Sequence, residues 1–452
     1  MELTTHLPAR QEAQTRRLLG ADRALVHDLA RAVGGPFHVV FPERFAAATG
    51  EFCAAMGDAG VDGQVYFAKK ANKASCWIRC CAELGIGVDV ASIGELRGAL
   101  GEGVRGERIV VTGPAKSAEL HRLATLHGCL LTVDALDELA ALIGLSGRYG
   151  VVRLLLRAAP PDGDSRFGMT ETELEIALRH CRDAGSAVQL EGFSFHLTGY
   201  APAPRAELAA SLVGWVQRAR AAGLPASCVN IGGGFAVSYV DAEDWRLFAP
   251  ALRAANFHGE RQFAEFYPYH SPVAGADMLR VVLATTPAGQ PHTLTALLRE
   301  AGVTLLCEPG RALLDQAGFT VLRVQGVKER GYAIITVDGT SLSLSEQWFN
   351  SEFLPDPVLI SDSPRQPDGP EPDGPAFPAC VAGVSCLESD LFSWRKIQFP
   401  HRPAIGDLLV YLNTAGYQMD SNESPFHDLP LPPKVVVWWE DGVARWRWDS
   451  HE

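Results

Sequence analysis

Six widely separated positions in this chain set unusual polar residues at the ends of short apolar runs. Lys70 follows VYFA (65–68) within YFAKKAN, Asp89 falls in GIGVDVAS, and Arg157 lies at the end of VVRLLLRA (151–158). His196 lies near the end of LEGFSFHLT (190–198), Gly232-Gly233-Gly234 follow CVNI, and Glu308-Pro309-Gly310-Arg311 follow TLLC. An amine brought by an apolar strand into a partly desolvated setting has a lowered pKa and becomes a nucleophile toward carbonyl carbon. Consecutive glycines let backbone N–H groups approach an anion closely, and an arginine adds a forked, permanent charge. Each residue alone has a plainer reading: a solvated lysine, a turn, a core histidine, a salt-bridged glutamate. Their shared placement at strand ends is what points to one convergent site.

The elements that must position them alternate. Between residues 36 and 311 the apolar runs above, together with RIVVTG (108–113) and LLTVDA (130–135), are separated by helical stretches such as GELRGALGEG, SAELHRLATLHG and TETELEIALRHCRDAG. Eight such units in this length predict an α/β fold, a (β/α)₈ TIM-type barrel whose active site lies at the C-terminal strand ends. A doubly wound open sheet is the competing arrangement. Strand alternation predicts that Lys69 faces away from Lys70. Residues 1–35 read as a helical lead-in, and the stretch around 240–303 as an insertion in the barrel. Residues 312–452 change to hairpin texture (FTVLRVQGVKE, GYAIITVDG, DLLVYLN, KVVVWWEDGVARWRW), a C-terminal β domain that a strand at about 36–42 is a candidate to join.

Composition narrows the class. The chain of 452 residues is 47% hydrophobic and 21% charged, with net charge -13, which argues against nucleic acid or an anionic membrane as partner. No apolar run approaches a membrane span, and the N-terminal residues carry no signal pattern, so a cytoplasmic location is expected. The ten cysteines show no CxxC pair and no metal-ligand spacing, so reduced thiols and no metal are expected.

In order and spacing, FAKKAN, GIGVDVASIGEL, SRFGM, NIGGGF, CEPGR, VSCLESDLF and NTAGYQ resemble the blocks of the fold-type III pyridoxal phosphate (PLP) decarboxylases, the ornithine, diaminopimelate and arginine decarboxylase group. The resemblance runs from about Pro36 to about Trp446. It implies that Lys70 forms the Schiff base with PLP, that Glu308 keeps the pyridine nitrogen protonated, and that His196 stacks on the ring. It places Asp89, Arg157, Thr198, Gly232, Gly233, Gly234, Gly310, Arg311 and Tyr417 around the cofactor, Thr198 standing where relatives commonly carry a phosphate-binding serine. It also implies a head-to-tail homodimer with shared sites, in which Cys386 enters the neighbouring copy's site and reprotonates the substrate carbon. In relatives an acid directly follows that cysteine; here Leu387 intervenes, leaving Glu388 or Asp390 as the candidate contact for the substrate amine.

For the far end of the substrate, the segment 337–360 lacks the Arg-Pro pair that diaminopimelate decarboxylases use for a distal carboxylate. Glu346, Glu352 and Asp356 supply negative charge there, Asp356 near where ornithine-type enzymes hold an acid, which favours a basic or polar amino acid. Tyr200, Trp348 and Phe349 are candidates to shape an aromatic pocket instead. A racemase on the same scaffold and a non-catalytic decarboxylase-like regulator are the competing functions. Cys386 in place of a catalytic tyrosine weighs against the first, and the retained lysine and phosphate ligands against the second.

Overall fold

The computed structural model describes residues 6–161, 165–344, 351–361 and 376–449. Helices Ala13–Leu19 and Arg23–Val33 lead into a short strand, β1 (Phe37–Val40). Eight parallel strands then follow: β2 (Gly63–Ala68), β3 (Gly87–Val90), β4 (Ile109–Val111), β5 (Leu130–Val133), β6 (Val152–Arg157), β7 (Val188–Ser194), β8 (Cys228–Asn230) and β9 (Thr304–Cys307). They close into a barrel, because β9 returns to pair with β2 at Gly63↔Leu305. That closure excludes the open doubly wound sheet.

Side-chain alternation sorts each strand between two apolar environments. On β2, Val65 and Phe67 join the large core under the helices, whereas Tyr66 joins Val110, Leu130, Leu155, Cys228 and Leu306 in a separate buried cluster drawn from six barrel strands. The Tyr66 ring fits only because Gly87 stands beside it: a Cβ there would lie 2.2 Å from the ring. Burial on both faces is why these strands read as continuous apolar runs.

Between β8 and β9 the chain makes three α-helices and three short 3-10 turns. Gly275–Ala284 and Leu294–Ala301 pack on helix Pro202–Ala221 and continue the outer ring. The preceding stretch, with helix Ala242–Phe248 and the aromatic run Phe263–Tyr269, instead reaches over the barrel mouth, where part of it lines the cavity described below.

After β9 come β10 (Gly318–Glu329), β11 (Ala333–Val337), β12 (Val358–Ile360), β13 (Phe377–Ala382), β14 (Leu391–Phe399), β15 (Leu408–Leu412), β16 (Lys434–Glu440) and β17 (Val443–Trp448). They form a separate sheet in the order β14-β13-β11-β10-β1-β16-β17, with β15 pairing both β10 and β12. β1 sits inside this sheet, antiparallel to β10 and parallel to β16. Phe37 and Val39 of β1 face a core shared with Val26 and Leu29 of the lead-in helix, so the N-terminal segment is built into the C-terminal domain. All ten cysteines are free thiols. Among the described residues no helix is long and apolar enough to cross a membrane.

Candidate active site

β2 ends at Ala68, and Lys69–Ala71 make a 3-10 turn. The turn, rather than strand alternation, therefore directs the two lysines, which corrects the reason expected for their divergence. Lys70 sends its amine to the cavity, 2.8 Å from a carboxylate oxygen of Asp89. Lys69 is buried with its amine 3.4 Å from the Lys73 carbonyl. The register Ala68↔Asp89 between β2 and β3 sets that acid beside the turn, and Thr112 donates to its other oxygen at 2.7 Å.

Burial alone lowers the basicity of Lys70, but Asp89, Tyr417 and Glu308 outweigh it and the pKa is raised. The expected lowering is overturned for the cofactor-free chain: Asp89 holds the proton on. Burial does lower the pKa of Lys69, yet Lys69 does not line the cavity. Placement, not basicity, singles out Lys70.

The β domain clamps this turn from outside. Tyr417 N–H donates to the Ala71 carbonyl at 2.8 Å, and the Asn72 amide donates to the Ala415 carbonyl at 2.8 Å. Tyr417 holds φ at 77°, a left-handed conformation that costs a non-glycine residue about 1 kcal/mol or more and persists where surrounding contacts enforce it. Its ring lies 4.9 Å from the Arg311 guanidinium.

Glu308 follows β9 and accepts from the Asn230 amide of β8 at 2.6 Å. Burial, then the nearby Asp89 charge, push its pKa up to about 7 against the pull of Lys70 and Asn230. Arg311, three residues on, is buried; it donates to the Tyr239 hydroxyl at 2.8 Å and lies 4.3 Å from the Tyr267 ring. Gly232 and Gly234 have φ of 65° and 78°, and a Cβ on Gly233 would meet the Glu308 carbonyl at 2.7 Å. Side chains would fill this cradle.

Behind the cradle stands Arg205, buried in the first turn of helix Pro202–Ala221. It donates to the carbonyls of Gly199 at 2.8 Å and Ala201 at 3.0 Å, shaping the loop that carries Thr198. A Cβ on Gly234 would lie 2.2 Å from its guanidinium. His196 lines the cavity with Nδ1 3.4 Å from the Gly233 amide; burial, then Lys70 and Arg157, push its pKa down to about 4, so its ring is neutral near pH 7.

Lys70, His196, Thr198, Gly233, Gly234, Glu308, Gly310, Arg311 and Tyr417 share one cavity of about 610 Å³, a size suited to a cofactor and a small substrate. Asp89 touches it through Lys70, and Gly232 lies just beneath. Arg157 is turned aside, 3.2 Å from Asp134 with its guanidinium 4.5 Å from the Phe167 ring, and acts on Glu308 only through its charge.

Two of the acids expected at the far end of the substrate, Glu352 and Asp356, lie elsewhere. Asp356 pairs with buried Arg395 and accepts from Leu7 N–H at 2.8 Å, with His6 also at 2.8 Å. Glu352 accepts from the backbone of Trp394 at 2.6 Å and of Arg395 at 3.3 Å. These contacts tie the N-terminal segment to the β domain, so Asp356 is corrected from a substrate contact to a structural acid. Asp390 accepts from the backbone N–H of Ser341 at 2.7 Å and Ser385 at 3.0 Å, organising the loop that carries Cys386. Cys386 and Glu388 are exposed on this chain, and the Cys386 thiol is 3.1 Å from His427 Nε2. Glu346, Trp348 and Phe349 lie outside the described residues.

Sequence reasoning missed Arg205, Asn230, Tyr239, Tyr267 and Glu265. Asn230 carried a signal, a lone amide on an apolar strand just before the glycines. The others sit in helices or in the β8–β9 connection, where nothing local marks them.

The donor set fits PLP. A dianionic phosphate matches the glycine cradle, Arg311 and the nearby Arg205 charge, and a ring N–H matches the buried Glu308 carboxylate, which no described cation pairs with. A closed barrel with an amine, a phosphate cradle and a buried acid at its strand ends, joined to a β domain, defines a fold-type III PLP protein. Residues 45–264 match the pyridoxal-binding domain of the pyridoxal-dependent decarboxylases. The chain is 36% identical over 438 residues to an uncharacterized protein of Sinorhizobium fredii, covering 95% of this chain and 94% of that one. It is 28% identical over 432 residues to the diaminopimelate decarboxylase of Deinococcus radiodurans, covering 92% and 94%. In fold it is similar to diaminopimelate decarboxylase from Helicobacter pylori (TM-score 0.71, 20% identity, 94% and 95% covered). The Paramecium bursaria Chlorella virus arginine decarboxylase is also similar (TM-score 0.66, 17% identity, 91% and 99% covered). The chain belongs to the fold-type III PLP-dependent decarboxylase family, and PLP is its cofactor.

Proposed function

We propose that this chain removes the α-carboxylate of an amino acid as CO₂, holding PLP covalently through Lys70. The observation that carries this reading is the convergence of Lys70, Glu308, the glycine cradle and Arg311 on one cavity. Bound PLP supplies an electron sink for the pair left when the bond between Cα and the carboxylate breaks. The residues of the chain do the rest. Arg311 and the backbone N–H groups of Gly232–Gly234 would hold the phosphate, neutral His196 would lie against the ring, and Glu308 would keep a proton at the ring nitrogen.

Cys386 is the proposed proton donor to Cα, from the neighbouring copy of a homodimer. Its thiol, 3.1 Å from His427 Nε2, is exposed on the single chain, on a surface open to a second copy. When CO₂ departs, the pair it leaves takes the thiol proton to form a C–H bond, and the thiolate regains a proton from water. A thiol suits this, because it can give its proton to carbon and take one back from water.

A basic or polar substrate is favoured. Apart from Lys70 and Arg311, which serve the cofactor, no described residue lining the cavity is cationic, so none is available for a second carboxylate. The test is a screen of amino acids for CO₂ release by the PLP-loaded protein, with chiral analysis of the products. Release of CO₂ supports the reading; inversion at Cα without CO₂ replaces it with racemisation.

A further inference from the structure

We infer that the hydroxyl groups of Tyr267 and Ser351 donate hydrogen bonds to the phosphate of the cofactor, completing the anion site that Arg311 and the glycine cradle begin. The inference rests on the reading of Arg311 as the phosphate's anchor, and on no particular reaction. Two observations carry it.

The first is a pair of buried hydroxyls without partners. Tyr267 Oη and Ser351 Oγ are shut off from solvent and make no hydrogen bond, and both residues line the cavity. Ser351 as a whole is only 7% exposed. Burying a hydroxyl without a partner is unfavourable, so two of them on one cavity mark where a ligand's acceptor belongs. Burial also pushes the Tyr267 pKa up, so the phenol keeps its proton and can donate it in a hydrogen bond. Tyr200, its ring 5.6 Å away edge to face, adds to that rise without reaching hydrogen-bond geometry.

The second is their position beside Arg311. The Tyr267 ring lies 4.3 Å from the Arg311 guanidinium. Arg311 donates to the Tyr239 hydroxyl at 2.8 Å, and the Tyr239 ring meets Phe353 edge to face at 5.6 Å. The Tyr269 hydroxyl donates to the Glu352 carbonyl at 2.7 Å, so residues 351–353 are held against the aromatic group that surrounds Arg311. A phosphate dianion presents three strongly accepting oxygens, which call for more donors than one guanidinium and a few amides. Thr198, the hydroxyl expected from the sequence, is exposed and can be served by water. The two dry hydroxyls instead come from the β8–β9 connection and from the β domain. The stretch over the barrel mouth thereby acquires a role: through the phosphate it joins the barrel to the β domain.

The test measures equilibrium binding of PLP and of pyridoxal, which lacks the phosphate, by dialysis, with the visible band of covalent attachment read in parallel. Tyr267→Phe and Ser351→Ala each remove one hydroxyl and little else. Each is expected to weaken PLP binding about tenfold, the scale of a hydrogen bond to a charged group, with pyridoxal binding unchanged. The double variant should lose more than either. PLP affinity that stays unchanged in a variant would strike that hydroxyl from the site, and PLP and pyridoxal affinity falling together would overturn the inference. PLP bound by wild type without the visible band would overturn attachment through Lys70 and leave this inference standing. No amino acid enters the measurement, so a failed CO₂ screen bears on the decarboxylase reading alone.

Discussion

The amine of Lys70 and the carboxylate of Asp89 lie 2.8 Å apart, on neighbouring barrel strands whose register places the turn after one strand beside the acid of the next. The pair keeps the lysine protonated in the cofactor-free chain, and only the neutral amine can attack an aldehyde.

Lys70→Ala is therefore expected to abolish covalent PLP attachment and its visible absorbance band, whereas Lys69→Ala retains both. Asp89→Asn removes the main group that raises the Lys70 pKa, so the pH of half-maximal PLP attachment rate should fall relative to wild type. Absorbance after mixing with PLP, followed across pH, checks both points. A band that survives Lys70→Ala would remove that residue from its role.

Glu308 titrates near pH 7 in the cofactor-free chain because burial and Asp89 disfavour its charge. Ionised, it can pair with a protonated ring nitrogen; neutral, it cannot. PLP affinity should thus rise as pH increases through about 7, and Glu308→Gln should flatten that step. The same variant is expected to slow CO₂ release by about 100-fold or more, the scale of losing a preorganised electrostatic contact. Linkage has the opposite sign for the unloaded fold. Between its ordinary value of 4.5 and about 7 the folded chain binds a proton that the unfolded chain has released, so this group's contribution to stability is lost as pH rises through that window.

Cys386→Ala should leave PLP binding intact and cut turnover by about 100-fold or more, as expected for loss of a positioned acid. Mixing Lys70→Ala with Cys386→Ala protein should restore activity toward about a quarter of wild type, the fraction of intact sites when copies pair at random in a two-fold dimer. Activity that stays flat on mixing would contradict a site shared between copies.

Asp356 is buried against Arg395, and removing one partner of such a pair leaves the other charge stranded. Asp356→Ala should cost about 3–5 kcal/mol in stability while leaving KM unchanged in the protein that folds. Denaturant unfolding and steady-state kinetics read the two effects separately. A raised KM with unaltered stability would return Asp356 to the substrate site.

Much of the architecture was legible because its signals are local. The strands β4 (IVV) and β5 (LLTV) read as near-continuous apolar runs because both faces are buried, and helices begin where Ser92 or Thr170 caps the backbone. The strand ends carrying Lys70, His196, Gly232–Gly234 and Glu308 follow from that count alone, since a parallel barrel turns all its C-terminal ends toward one mouth.

What a carboxylate does once it arrives is a different kind of question. Asp356 and Glu265 are equally acidic in the sequence, but Arg395, brought in by the β14 strand, claims the first, and no described residue reaches the second. Lys69 and Lys70 are adjacent and identical, and the turn after β2 with the clamp of Ala415 and Tyr417 decides which one meets the cavity. The sequence by itself determined the barrel and the convergence of its strand ends, because hydrophobic periodicity acts over a few residues. Only the tertiary structure decided the charge state of the lysine and the availability of each acid, because electrostatic partners are chosen through space, by whichever group the fold brings within a few ångströms.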